Sequence, residues 1–298
     1  MLKSLQKAFK VKEVRDRLLY TFMMLVVIRI GCCLPIPGVD PSYLHDFFSN
    51  LQSSGMGFFN AITGGSFSSM SIFALSITPY ITSSIIMQLL TIAIPKLEEM
   101  QKDGEDGRKK IAEYTRYLTV GLALFESCAM AVGLGGKGLL LEDHRNVWGY
   151  LTVVAAMTAG SALLMWIGER ITDNGVGNGI SIVLLINIVS GTPQDMMTLY
   201  ERFMAGKSVA VATVACIIVL AIIIAIFVFV IILNDAERRI PVQYSKKMQG
   251  RRMIGGQSTY IPLKVNTANV IPVIFASSIM SMPVMIAQFF HVDYSTIG

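Results

Sequence analysis

The chain has 298 residues, 53% of them hydrophobic and 15% charged, with a mean hydropathy of +0.58. A soluble domain carries nearer a quarter charged residues, so these values exclude an ordinary soluble fold and indicate a polytopic membrane protein. The net charge of +5 falls in blocks between apolar runs, a distribution that argues against a nucleic-acid binder.

Residues 1–17 carry Lys3, Lys7, Lys10, Lys12, Arg15 and Arg17 and read as a short amphipathic helix on the cytoplasmic face. No cleavable signal peptide is expected, because a full-length apolar run opens directly at Leu18. Residues 18–34 form the first predicted span, with Arg29 near its far end and expected to meet a structural partner. Residues 35–71 contain no Lys or Arg, and Pro35, Pro37 and Pro41 break any helix at the start. This segment is expected outside the membrane, folding back toward it.

The chain is organised around FFNAITGGSFSSMSIFALSITPYITSSIIMQLLTIAIP, residues 58–95. Its first half is too short and too rich in Gly and Ser to span, while residues 72–94 are long enough for the second span. Non-helical backbone at membrane depth is tolerated only against protein or a water-filled cavity. A cavity is therefore expected, with residues 60–71 in or over it. Ile77 and Ile81, spaced i,i+4, share a helix face. Thr78, Thr82, Ser83, Ser84 and Gln88 leave two readings open, a pore lining or ordinary interhelical hydrogen bonds.

Residues 96–116 carry Lys96, Lys102, Arg108, Lys109, Lys110 and Arg116 and are cytoplasmic by the positive-inside rule. Residues 117–134 are the third span. The fourth begins after Trp148 and Tyr150 and ends near Ile167, followed by the turn GERITDNGVGNG. Residues 180–189 are apolar but short, so hydropathy alone does not separate a span from a re-entrant piece. A fifth span there keeps the later basic loops on one side. Residues 209–233 are the sixth span and residues 270–290 the seventh. Between them, residues 234–269 form the longest basic loop, in which RIPVQYS and TYIPLKV read as paired extended segments around the tip KKMQGRR. Their prolines weigh against pairing. Twenty of the 25 Lys and Arg fall in the four segments assigned to the cytoplasm, which fixes an N-in, seven-span arrangement.

Catalytic and metal-binding patterns are missing from the sequence. His45, His144 and His291 are scattered, and Cys32, Cys33, Cys128 and Cys216 lie in apolar runs without metal or disulfide spacing. LGGKGLL fails the phosphate-loop spacing, and GVGNG follows no strand. No cofactor is expected, and another component must supply the energy for any transport. Glu126 in the third span is the main buried acid; it suits either a coupling-ion site or an interhelical hydrogen bond.

Six stretches in order, IRIGCCLPIPGVD, SIFALSITPYITSSIIMQLL, KDGEDGRKKIAEYTRY, LMWIGERITDNGVGNGISI, RRIPVQYSKK and QSTYIPLKVNTANVIPVIFASSI, resemble the SecY family of protein-secretion channels. The resemblance covers nearly the whole chain. It implies an all-α polytopic membrane bundle: a first five-span half at residues 18–190, and two spans of a second, inverted half at residues 209–298. It implies a plug helix over residues 59–70, including Phe59, Asn60, Gly64, Gly65, Phe67 and Met70, with the two glycines as a hinge. It also implies an aliphatic pore ring of Ile77, Ile81, Ile180, Leu184 and Ile274. Such a ring dewets against ions and conforms around a passing chain.

A lateral gate would be lined by Thr82, Gln88 and Ser277, and Arg238, Arg239, Arg251 and Arg252 would dock the ribosome or the SecA motor. The implied partners are SecE and SecG subunits, SecA, the ribosome, secretory and membrane-protein chains, and the lipid of a bacterial plasma membrane. Family members have ten spans, and this sequence stops after the seventh. The expectation is therefore a truncated product. Two other readings remain at this stage: a small-solute transporter, suggested by broken helices and Gly-rich turns, and a non-conducting remnant.

Overall fold

A computed structural model describes residues 11–40, 63–135, 138, 140–141, 145–205, 208–242, 247–249, 252–254, 259–267, 272–273 and 276. Most of the expected amphipathic segment, most of the seventh span, and Phe59, Asn60, Arg251, Ile274 and Ser277 lie outside the described residues. The chain divides into two compact units, Met1–Pro193 with Ile274–Gly298, and Gln194–Val273.

The first unit is helical. Helix α1 (Lys12–Cys33) runs unbroken through the first expected span. Residues 12–17 are thus its first turns, not part of a separate surface helix, because nothing between Lys12 and Leu18 interrupts the backbone ladder. After α1, Ile36 N–H donates to Met70 O (3.0 Å) and Ile72 N–H to Leu34 O (3.0 Å), around an antiparallel bridge between Pro35 and Ser71. A second bridge joins Val39 to Leu140.

The second expected span is shorter than residues 72–94. Helix α2 covers Thr78–Ala93, with Pro79 in its first turn, where a missing N–H costs nothing. Residues 72–77 form turns, and Ser76 sits at φ +53°, a left-handed conformation that no helix continues through. At the other end Pro95 forces Ile94 into extended backbone (φ −112°, ψ 112°) and opens helix α3 (Pro95–Lys102). The two helices meet at 103°. The polar sequence of α3, PKLEEMQK, suits a surface rather than lipid.

Helix α4 (Glu105–Leu134) packs on α2 and on α5 (Val147–Asn174), which also meets α1. Lipid tails are as apolar as Leu, so such contacts depend on close approach at small residues. Gly160 of α5 is one: a Cβ there would run into the backbone carbonyl of Ile72. Helix α6 (Gly179–Phe203) follows the turn at Gly175–Asn178. It outruns the expected fifth span by more than ten residues, continuing through Pro193. The unit boundary falls at Pro193.

The second unit contains α7 (Val209–Asp235) and an extended arm. Within the arm, β1 (Glu237–Val242) pairs antiparallel with β4 (Thr259–Lys264), Ile240 opposite Ile261. Between them β2 (Lys247–Gln249) pairs with β3 (Arg252–Ile254). The expected pairing of the two flanking segments is therefore present. Pro241 and Pro262 are accommodated because a two-stranded ladder leaves one edge of each strand unbonded.

Among the described residues three helices are long and apolar enough to cross a membrane: α5, α6 and residues Ala210–Asp235 of α7. The bent pair α2–α3 makes a fourth if taken as one span. Helix α1 carries Asp16, Arg17 and Arg29 in its apolar stretch, which keeps it short of that standard.

Candidate apolar constriction and its turn segment

Four of the five expected ring residues meet. Ile77 is fully buried, and Ile81, Ile180 and Leu184 are partly buried, all in one apolar cluster built on Ile28, Phe73, Leu164, Ile167, Ile171 and Val183. Ile77 caps the start of α2, and Ile81 N–H donates to its carbonyl (3.1 Å), which puts the two side chains one turn apart. Gly168 of α5 faces Ile77 and Ile180: a Cβ there would lie at an ordinary contact distance, 3.5 Å, from Ile77 Cδ1 and Ile180 Cγ1. Gly179, at the head of α6, abuts the Gly168 carbonyl so closely that no side chain fits.

The stretch before α2 sits beside this cluster. Residues 64–70 are successive turns rather than the expected helix, held by Ser69 N–H to Gly65 O (3.2 Å), Met70 N–H to Phe67 O (3.2 Å) and Ser71 N–H to Ser66 O (3.1 Å). Gly64 (φ +66°) and Gly65 (φ +79°) take left-handed backbone that interrupts a helix. Phe67 and Met70 are buried in a neighbouring apolar cluster with Ile36, Leu75, Met130 and Met157.

The hydroxyls of α2 resolve differently from either sequence reading. Thr82 Oγ1 donates to Thr78 O (3.1 Å), Ser83 Oγ to Pro79 O (2.7 Å), and Thr78 Oγ1 to Leu75 O. Each is satisfied within its own chain segment, so burial of Thr82 needs no partner helix. Gln88 is exposed on the same helix.

Ser76, Ser161, Asn187 and Ser190, which the sequence did not single out, join Arg29 in a polar chain that is buried at its Asn187 end. Arg29 Nη1 donates to Ser190 Oγ (2.8 Å), which donates to Asn187 O (2.6 Å). Asn187 Nδ2 donates to Ser76 Oγ (3.0 Å), and Ser161 Oγ donates to Ser76 O (3.3 Å). The expected structural partner of Arg29 is therefore Ser190. The available signal was a lone Asn in the apolar run ISIVLLINIV, with its partner 111 residues away. Glu126 is buried on α4, and its Oε2 accepts no hydrogen bond among the described residues.

Arg116 Nε donates to Glu169 Oε1 (2.8 Å), joining α4 to α5 at their basic-loop ends, and this bond holds the guanidinium even more firmly protonated than usual. Within the second unit Arg238 and Arg239 are exposed on β1, and the Arg239 guanidinium lies 4.7 Å above the Tyr260 ring. Arg252 lies on β3 opposite Gln249.

These features define a helical polytopic membrane bundle in which four of the expected ring positions share one apolar cluster. The SecY family model matches residues 71–297, and the chain belongs to the SecY family. It is 44% identical to the protein translocase subunit SecY of Streptomyces scabiei over 97% of this chain and 68% of that protein. It is 43% identical to the subunit of the same name from Escherichia coli K12 over 93% of this chain and 62% of that protein. Two solved structures share the fold. One is a protein-conducting channel (TM-score 0.57, 19% identity, 93% of this chain and 59% of that one). The other is Sec61 in the canine ribosome–channel complex from the endoplasmic reticulum (TM-score 0.55, 19% identity, with the same shares). The chain thus spans less than two thirds of these solved channels.

Proposed function

We propose that the chain forms the larger part of the pore subunit of a general protein-secretion translocase. It passes unfolded polypeptides across the plasma membrane and, through a lateral gate, into the lipid. The observation that carries this reading is the convergence of Ile77, Ile81, Ile180 and Leu184 on one apolar cluster beside the 64–70 turns. Ile274 completes the ring, and residues 59–70 are the plug. An apolar constriction sheds water and so blocks ions, while branched side chains conform around a passing chain.

Thr82 suits a gate face because its hydroxyl is already satisfied by Thr78 O, so separation from a neighbouring helix leaves no orphaned donor. Gln88 and Ser277 are the other gate residues. The basic arm carrying Arg238, Arg239, Arg251 and Arg252 docks the ribosome or SecA, which supplies the work, and SecE and SecG complete the complex. The basic residues then place the N-terminus in the cytoplasm. Residues 18–190 serve as the first half of the channel and residues 209–298 as the start of the second.

Site-specific crosslinking tests this. A photoreactive residue is placed at Ile81 or Ile274 in the assembled translocase while a secretory chain is stalled in transit. Crosslinks from both positions are expected. None from either, with the chain engaged, would make the ring ordinary core packing.

A further inference from the structure

The stretch between Gly64 and Ser76 meets α6 at both ends, by close backbone approach at Gly64 and by a buried hydrogen bond at Ser76. At its start, Gly64 lies so close that a Cβ would sit 2.6 Å from the Asn187 carbonyl oxygen and 2.9 Å from Ser190 Oγ. At its end, Ser76 Oγ accepts from Asn187 Nδ2 (3.0 Å). Asn187 is fully buried, Ser76 and Ser161 nearly so, and Arg29 secures Ser190 from α1. One side chain therefore contacts the turn segment through its amide while its own backbone seats the other end. Its Oδ1 accepts no hydrogen bond among the described residues. Ser76 is also held at φ +53°, a conformation that a residue with a Cβ adopts at a cost. One buried hydrogen bond to α6 thus holds a locally strained backbone.

We propose that Asn187, braced by Ser190 and Arg29, is the positioning residue that latches the plug segment shut. Displacing the plug then requires lifting Gly64 off α6, which loss of the Asn187–Ser76 bond at the base of the segment eases. This rests on the plug assignment above and deepens it by naming the contact that sets the resting state.

The test uses the translocase reconstituted in vesicles, read by resting ion flux and, separately, by transport of a secretory chain. Asn187→Ala removes the donor. Ser76→Gly removes the acceptor while tolerating the left-handed backbone, so it separates the hydrogen bond from the strain. Each is expected to raise resting flux by about tenfold, the effect of one buried hydrogen bond on a two-state equilibrium. The double variant should leak no more than the leakier single, because both remove the same bond.

Unchanged resting flux in variants that still transport would overturn the latch while leaving the channel reading intact. An unaltered complex that transports nothing would overturn the channel reading itself. A second measurement covers variants that insert poorly. In the unaltered complex the Met70 and Ser71 amides, which donate to Phe67 O and Ser66 O, should exchange faster with a chain stalled in transit than at rest; equal exchange in both states would refute the latch.

Discussion

A single added carbon should have opposite effects at two glycines of α5. At Gly160 a Cβ meets the Ile72 carbonyl, which is backbone and cannot rotate away. Gly160→Ala therefore has to push α5 off the turn segment, an overpacking cost of about 1–3 kcal/mol. At Gly168 the same carbon finds Ile77 Cδ1 and Ile180 Cγ1 at 3.5 Å, an ordinary van der Waals distance. Gly168→Ala adds contacts and stiffens the helix, a gain of at most about 1 kcal/mol. The predicted difference between the variants is therefore about 1–4 kcal/mol. Both tryptophans of the chain, Trp148 and Trp166, lie on α5, so intrinsic fluorescence reports this helix directly. Thermal unfolding in detergent should place Gly160→Ala below the unaltered protein and Gly168→Ala level with it or above. Equal loss in both, or no loss at Gly160, would refute the packing argument.

Reversing charge at Arg238 and Arg239 should weaken binding of ribosome or SecA, and by less at high salt, where screening already removes the attraction; salt-independent loss would implicate the hairpin's fold instead. Tyr260→Ala removes the ring beneath Arg239 and should cost the exposed β1–β4 hairpin about 0.5–1 kcal/mol, read as faster amide exchange at Ile240 and Ile261. On α3, the Lys102 ammonium hydrogen-bonded to Glu98 (2.6 Å) holds that carboxyl below its usual range. A depressed value means the pair supports the helix above the carboxyl's ordinary titration and ceases to as pH falls through the lowered one. Lys102→Ala should therefore move the Glu98 midpoint upward in a carboxyl-carbon NMR titration, and an unmoved midpoint would show the pair to be idle.

The sequence revealed most where a local rule operated alone. The second span ended at Ile94 as expected, just before Pro95, and the β-branched and aromatic content of RIPVQYS and TYIPLKV predicted the β1–β4 pairing despite two prolines. It misled where a local signal met a tertiary one. Residues 180–189 looked like a short span, yet the helix runs on to Phe203. The apolar run at residues 72–77 looked like helix, yet Ser76 turns it. The clustering of Ile77 with Ile81 was readable from periodicity, and that of Ile180 and Leu184 with them only from the resemblance. The Arg29–Ser190–Asn187–Ser76 chain was not, because its members come from three separate stretches and only the fold brings them together.

The bridge between Pro35 and Ser71 closes the intervening chain into a loop whose two ends lie side by side. If residues 59–70 act as the proposed plug, a stopper carried on such a loop never diffuses away. Its return is a first-order event, governed by an effective local concentration rather than by the amount of protein in the membrane. Each resealing after a passing chain would start from the same anchored place, so recovery of the barrier should be a property of the single molecule.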